Sequence, residues 1–375
     1  MSYITSSSSS WFEVEGSDQI PSPALFFYRE RIIENIRRMI AIAGSTESLR
    51  PHIKTHKCSE IIRLQMDQGI SKFKCSTIAE VEMVAMCGAC DILLAFQPVG
   101  PNVNRFIQVI QRFKDSKIST IVDSESIIHQ ISANAVDANL EIPLWLDLNI
   151  GMNRTGIVPG DEAIKLCRLI GDLPNISLCG LHVYDGHIHE SDPVQRKKQC
   201  DQAYEPVYRM IEKLSKSGIQ VPTVVAGGTP TFPIHAKRSG TEVSPGTTIL
   251  WDYGYSHSFP DISYLHAALV LTRVVSKPGD NLLCFDLGHK AVGDDMPNPR
   301  VKLLGFTSYE IIKHNEEHLV VKTKEAVSWK VGDHCFGIPY HICPTVIRYD
   351  SALVVENHTV VDEWKIAARD RKITI

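Results

Sequence analysis

The feature that most constrains this chain is an alternation. Short runs rich in β-branched and apolar residues, such as "KFKCST", "DILLAF", "STIVD", "LWLDLN", "SLCGLHV" and "TVVAGG", recur along the first two thirds. Between them lie stretches such as "RERIIENIRRMIAIAG" and "TIAEVEMVAMCG". Their apolar residues return at three- and four-residue spacing, as on one face of an amphipathic helix. Counting "ALFFY" and "LRPHIK" before these runs and "TTILWD" after them, strand and helix alternate about eight times over roughly 230 residues. That predicts parallel βα units and, most simply, a (β/α)8 barrel. An open doubly wound sheet is the competing α/β arrangement.

Beyond residue 258 the texture changes. "YLHAALVLTRVVSKPGDNLLCFDLG", "HLVVKTK" and "ALVVENHTVVDEWKI" are β-branched, separated by turn residues and poor in helical periodicity. They predict a mostly antiparallel β domain. The expected division is therefore a barrel over 20–257 and a β domain over 258–375. A short N-terminal strand near 11–16, "WFEVEG", is expected to pair into that domain.

Composition narrows the class. The 375 residues carry 43% hydrophobic and 22% charged residues and a net charge of −4. Without a basic excess or a basic amphipathic run, neither nucleic acid nor a membrane surface is an expected partner. The longest apolar runs are far shorter than a membrane span. The N-terminus, with its serine run, has neither a charged leader nor an apolar core, so it reads as a flexible lead-in and not a signal peptide. Ten cysteines are scattered through the chain. Several lie within apolar runs, where a free thiol behaves as a small hydrophobe, and a reducing cytoplasm is the expected compartment. Cys87 and Cys90 form a C-x-x-C without a second pair, which is too little for a structural zinc site.

In a parallel barrel the active site gathers at the C-terminal ends of the strands. Polar residues collect at those ends here. Lys54 closes "SLRPHIK", Arg154 follows "LWLDLN", and Tyr184 with His187 follows "GLHV". A lysine in a pocket can form a Schiff base. "VVAGGTPT" and "SPGTTILWD" each turn through glycine and threonine, bringing Gly228, Thr229, Gly246 and Thr247 to late strand ends. Glycines admit backbone N–H groups to an anion, and barrels often bind phosphate there. In "GIPYHICPTV", His341 and Cys343 are separated by one residue, so on an extended chain both side chains face one way. Imidazole and thiolate together suit zinc, and two protein ligands leave positions open for substrate.

Taken together, "IPSPALFFY", "RPHIKTHK", "GMNRTGI", "HVYDGH", "GGTPT", "SPGTT", "DLGHKAV" and "PYHICPTV" resemble the fold-type III pyridoxal-phosphate enzymes. Within them the chain resembles the metal-activated D-threonine aldolase and D-serine dehydratase group, on an alanine-racemase-like fold. The resemblance implies a homodimer in which Lys54 holds pyridoxal 5'-phosphate. It further implies that Arg154 contacts the cofactor's 3-oxygen, Tyr184 lies beside its ring, and Gly228, Thr229, Gly246 and Thr247 cradle its phosphate. His341 and Cys343 would bind a divalent metal, zinc or manganese.

The substrate implied is a β-hydroxy D-amino acid, whose hydroxyl the metal would polarise. Loss of the hydroxyl proton leads to Cα–Cβ cleavage, giving glycine and an aldehyde. Removal of the α-proton by Lys54 with departure of hydroxide gives a 2-oxo acid and ammonia instead. Aspartate serves as the second metal ligand in some of the aldolase group, whereas cysteine is what dehydratases carry. Cys343 therefore pulls towards dehydration, and the aldolase remains the preferred reading by association. His187 and His56 are the side-chain candidates to take the hydroxyl proton. A racemase would have no use for "HICPT", and a cofactor-carrier barrel would lack the β domain. A sugar-processing barrel would need a strand-end carboxylate pair that the sequence does not offer.

Overall fold

The computed structural model describes residues 10–375, so all but the last residue of the serine run lies outside the described residues. Its strands are β1 (Ala24–Tyr28), β2 (Lys72–Cys75), β3 (Asp91–Leu94), β4 (Lys117–Val122), β5 (Ile142–Leu148), β6 (Ile176–Val183), β7 (Val224–Ala226), β8 (Thr241–Val243), β9 (Ala268–Gly279), β10 (Leu282–Phe285), β11 (Val301–Leu303), β12 (Glu310–His314), β13 (Leu319–Lys322), β14 (His334–Pro339), β15 (Ser351–Glu356) and β16 (Thr359–Lys365). The chain divides into two compact units. One holds the segment up to Ile32 with Leu250–Tyr255 and Leu265–Ile366; the other holds Ile33–Ile249, Ser256–Tyr264 and Ala367–Ile375.

The second unit is the barrel. Strands β2 to β8 pair in sequence order, every pair parallel. The remaining place in the ring is taken by residues 49–52, which bridge β8 through Leu49↔Val243 and β2 through His52↔Lys74. Arg50 N donates to Val243 O and His52 N to Pro245 O, each at 2.9 Å, while Lys74 N donates to Pro51 O at 2.9 Å. The (β/α)8 architecture expected from the alternation is therefore present, with its first strand reduced to bridges because Pro51 has no N–H to give.

The helices between these strands follow from their sequences. Pro101–Arg112 starts on Pro101 and buries Val103, Phe106, Ile107 and Ile110, the i, i+3, i+4, i+7 face. Ile78–Met86 is capped by Thr77, whose hydroxyl accepts from Glu80 N at 3.1 Å. Asp192 caps the long helix Pro193–Lys216 through Gln195 N at 2.8 Å. The barrel interior carries Leu93, Ile121, Trp145 and Val225 as one packed cluster.

The first unit is a sheet in the order β12-β13-β10-β9-β1-β15-β16, with β14 added on β9 and β11 on β14. All of its pairs are antiparallel except β1 with β15. Phe26, Tyr28, Leu269, Leu271, Phe336 and Ile338 form its core.

Three readings of local structure are corrected. "ALFFY" is not a barrel strand: β1 pairs with β9 and β15 in the antiparallel sheet. "TTILWD" is a 3-10 turn at Thr247–Ile249, and the last barrel strand is the short Thr241–Val243 just before it. Residues 11–16 are turns and not a strand. They are still held to the sheet unit, by a hydrogen bond of 2.8 Å from Glu15 N to His358 O and by burial of Val14 in the core.

Candidate active site

Lys54 sits in the 3-10 turn Ile53–Thr55 that leaves the barrel's first, bridged segment, and His52 Nδ1 accepts from its backbone N at 3.4 Å. The turn is fixed downstream. Lys57 adopts a left-handed φ of 49° and its ammonium pairs with the fully buried Glu80, which also accepts from Ser76 N at 2.6 Å. The Lys54 side chain is half-buried, and among the described residues its amine has no hydrogen bond or ion pair.

The two Gly-Thr turns meet this segment. Thr229 Oγ1 accepts from Gly246 N at 3.3 Å and from Thr247 N at 3.2 Å. A Cβ on Gly246 would stand 3.1 Å from His52 O and 3.3 Å from Thr55 Oγ1, so glycine lets this loop pack against the lysine turn. Gly228 N donates to Thr231 Oγ1 at 3.1 Å. A Cβ on Gly228 would lie 3.1 Å from the Tyr184 ring, and one on Gly186 would collide with that ring at 2.3 Å. The two glycines thus open the slot in which Tyr184 lies.

Arg154 stands on the loop after β5, exposed, with its guanidinium 5.1 Å from the Tyr184 ring centre. The loop is shaped by Asn149, whose side-chain oxygen accepts from Gly151 N and Asn153 N at 3.1 Å each. A small cavity there is lined by Asp147, Asn149, Arg154, His182 and Tyr184. His187 is exposed on the loop after β6, against Gly151. His56 is fully buried; its Nδ1 accepts from Cys58 N, and burial pushes its pKa down to about 3. It is a poor proton acceptor, which removes one of the sequence candidates.

His341 and Cys343 belong to the sheet unit, at the end of β14. Here the extended-chain reading is corrected: His341 is the N-cap of a short helix, Ile342–Val346, and Cys343 lies in its first turn. They still interact. Burial lowers the His341 pKa, but a hydrogen bond with Cys343 and the charges of Cys343, Asp252 and Asp295 outweigh it and raise the value to about 9. His341 Nδ1 lies 2.5 Å from Asp295 Oδ2. A carboxylate on Nδ1 orients the ring, and to ligate a metal the imidazole gives up the proton that these neighbours favour.

Sequence reasoning missed several buried groups of the barrel unit. His182 and Asp147 pair at 2.7 Å in the wall of the cavity, with burial lowering the His182 pKa against the pull of Asp147. Asp185, Cys200 and His235 bring their ligand atoms within 4.8 Å of one another, a set able to hold a metal ion. As it stands the set is hydrogen-bonded, His235 Nε2 to Asp185 Oδ2 at 2.8 Å and Thr231 Oγ1 to Asp185 Oδ1 at 2.7 Å. Burial and Asp185 push the Cys200 thiol up to about 12. Lys74, on β2, is also buried and faces Tyr184. For Asp185 the only sequence signal was its place beside Tyr184; for Cys200 and His235 there was none.

Comparison with known proteins gives a consistent picture. Residues 28–255 match the family model for the alanine racemase N-terminal domain, and residues 267–355 match a putative serine dehydratase domain. The chain is 29% identical to a D-threonine aldolase of Arthrobacter sp, covering 94% of this chain and 93% of that protein. It is 26% identical to a 3-hydroxy-D-aspartate aldolase of Paracoccus denitrificans (strain Pd 1222), again over 94% and 93%. The crystal structure of a D-threonine aldolase from Filomicrobium marinum superposes with a TM-score of 0.87 at 26% identity, covering 94% of this chain and 96% of that one.

Proposed function

The chain belongs to the alanine racemase N-terminal domain family, and we propose that it is a lyase dependent on pyridoxal 5'-phosphate and a divalent metal. Its substrates are β-hydroxy D-amino acids, cleaved as by a D-threonine aldolase to glycine and an aldehyde. The observation that carries this reading is the His341–Cys343 pair, backed by Asp295, in a chain that also holds the Lys54 pocket. A racemase needs the pocket and has no use for the pair.

The residues present suit the cofactor. Among the described residues the Lys54 amine has no competing partner, the N–H groups of Gly246 and Thr247 converge on one hydroxyl, and glycine at 246 lets their loop pack against the lysine turn. The His341–Cys343 donor set, with a carboxylate orienting the imidazole, suits zinc or manganese better than magnesium. When bound, pyridoxal phosphate supplies an electron sink for charge developing at Cα or Cβ, and the divalent ion supplies Lewis acidity towards a hydroxyl.

The chain's own groups divide the remaining work. Lys54 would hold the cofactor through its amine, and its Nζ would be the group that carries a proton. Arg154 would donate to the cofactor's ring oxygen, and Tyr184 would lie beside its ring. Gly228, Thr229, Gly246 and Thr247 would bind the phosphate. His187, exposed on the loop after β6, is the side-chain candidate to take the hydroxyl proton. The working form on this reading is a cytoplasmic homodimer; no helix of the described residues is long and apolar enough to cross a membrane.

A second reading, a D-serine or 3-hydroxy-D-aspartate type dehydratase, draws on Cys343 and on the serine dehydratase domain match. Product analysis separates the two. Purified enzyme with pyridoxal phosphate, D-threonine and zinc or manganese is expected to release glycine and acetaldehyde. Release of 2-oxobutanoate and ammonia would establish the dehydratase, activity that survives exhaustive chelation would remove the metal, and L-threonine as product would return the case to a racemase.

A further inference from the structure

The barrel site contains a second amine. Lys74 lies on β2, is 3% exposed, and holds its Nζ 5.7 Å from the centre of the Tyr184 ring. Its backbone is tied to the lysine turn through the His52↔Lys74 bridge and the hydrogen bond to Pro51 O. The charged and titratable groups that face it are Lys54, Arg50, Asp147 and Asp185, with His52 and His182 alongside.

Every anion in that set is already engaged. Asp147 is paired with His182 at 2.7 Å, and Asp185 with His235 at 2.8 Å and Thr231 at 2.7 Å. Arg50 is itself satisfied, by Asp91 and Glu242 at 2.7 Å each. Among the described residues Lys74 Nζ makes no hydrogen bond or ion pair. Burial, and after it the charges of Lys54 and Arg50, push its pKa down to about 7. A buried amine without an acceptor is expensive to keep charged. Placed in a cofactor pocket beside a Schiff-base lysine, it is set up to take an anionic oxygen from the ligand.

We infer that Lys74 is a positioning residue that donates to the ring oxygen of the bound cofactor and couples that contact to the protonation of Lys54. The choice of oxygen follows from the cofactor's chemistry. The ring carbon that bears the aldehyde lies between the carbon bearing the hydroxyl and the carbon bearing the phosphate arm. The arm has its donors in the cradle assigned to Gly228, Thr229, Gly246 and Thr247, so a further cation that faces Lys54 and shares the Tyr184 ring with Arg154 is left with the hydroxyl's oxygen. Arg154 approaches the same tyrosine ring at 5.1 Å, so the oxygen would receive two donors. The inference rests on the cofactor assigned above.

The test uses binding and spectra, not turnover. Apo enzyme is titrated with pyridoxal 5'-phosphate and with 3-deoxypyridoxal 5'-phosphate, which lacks the ring oxygen, for wild type, Lys74→Met and Lys74→Gln. Wild type is expected to prefer the natural cofactor, and in Lys74→Met that preference falls roughly tenfold or more, the scale of a lost charge-assisted hydrogen bond. The pH midpoint of the cofactor's visible band is expected to move upward in the variant, because a neighbouring cation no longer opposes protonation of the Lys54 nitrogen. Lys74→Gln, which keeps a donor, recovers part of the preference and gives a second readout if methionine does not fold. Unchanged discrimination with an unmoved midpoint would overturn the inference, as would an equal loss for both ligands, which marks a packing effect. Wild type that binds neither ligand sinks the lyase reading itself.

Discussion

Arg50→Met tests how the barrel is closed ahead of Lys54. The guanidinium is 1% exposed, with Nε 2.7 Å from Glu242 Oε2 and Nη1 2.7 Å from Asp91 Oδ1. It links residues 49–52 to β8 and β3, while its backbone N bonds Val243 O at 2.9 Å. Removing one partner of a buried pair costs about 3–5 kcal/mol, because the other charge is left without compensation. Two features hold the cost here near the lower figure. Glu242 keeps Lys72 Nζ at 2.5 Å, and the Asp91 side chain is 22% exposed, so water reaches it. Methionine fills most of the volume of the arginine stem, so little is added for a cavity. The expected loss is therefore about 3 kcal/mol. Urea unfolding followed by tryptophan fluorescence and circular dichroism reads it. Arg50→Lys should regain only part, because an ammonium cannot fork to two carboxylates. The same variant should bind pyridoxal phosphate more weakly, since the lysine turn hangs from this segment. A loss within about 0.5 kcal/mol, the range of ordinary surface substitutions, would refute the account of barrel closure.

Further outcomes follow from other groups. Gly246→Ala places a Cβ 3.1 Å from His52 O; overpacking of about 1–3 kcal/mol should weaken cofactor binding about tenfold or more in an absorbance titration, and unaltered affinity would remove Gly246 from the cradle. His341→Ala and Cys343→Ala should each lower bound zinc from about one ion per chain towards none by elemental analysis, while leaving cofactor absorbance in place; full metal content in both variants would rule the pair out as ligands. His56 titrates at about 3 when folded against about 6.5 unfolded, so between these values the unfolded chain binds the extra proton. Stability contributed by neutral His56 is thus complete above about 6.5 and lost as pH falls towards 3, at about 1.4 kcal/mol per pH unit. His56→Asn should flatten the urea-stability profile across that window, and an unchanged slope would count against a neutral buried ring.

How much of this was legible depended on whether the signal was local. Strands β2 to β7 were readable because each lies in a short run flanked by helical periodicity, and in a parallel barrel the neighbour in sequence is also the neighbour in space. The two strand errors share a cause. Nothing in "ALFFY" says which sheet will accept its hydrogen bonds; the choice is made by β9 and β15, more than two hundred residues away. At the other end, the three residues of β8 are too few to show a period, and the apolar "TTILW" beside them gave the stronger pattern. The turn at 11–16 failed for a related reason: a strand-like composition does not fix pairing, and the segment is held by separate hydrogen bonds from Glu15 N to His358 O and from Tyr28 Oη to Phe12 O instead of a ladder.

The site shows the same rule in chemical form. Residues proposed for a role because they stand at a strand end, such as Lys54, Arg154 and Tyr184, are visible because the barrel converts position in the chain into position on the rim. Residues that act through another are not. Asp185 and His235 are fifty positions apart and meet only because β6 and β7 are adjacent, so no spacing announces them. Lys74 lies between these cases. "KFKC" puts a lysine between Phe73 and Cys75, both fully buried, on a strand whose two faces are covered in a barrel. A charged residue at such a place has to be repaid by a partner, and inside a barrel, near the strand's C-terminal end, a bound ligand is one partner available. An unexplained charge in an otherwise apolar barrel strand is therefore as much a site signal as a motif at the rim, although it carries no spacing by which to recognise it.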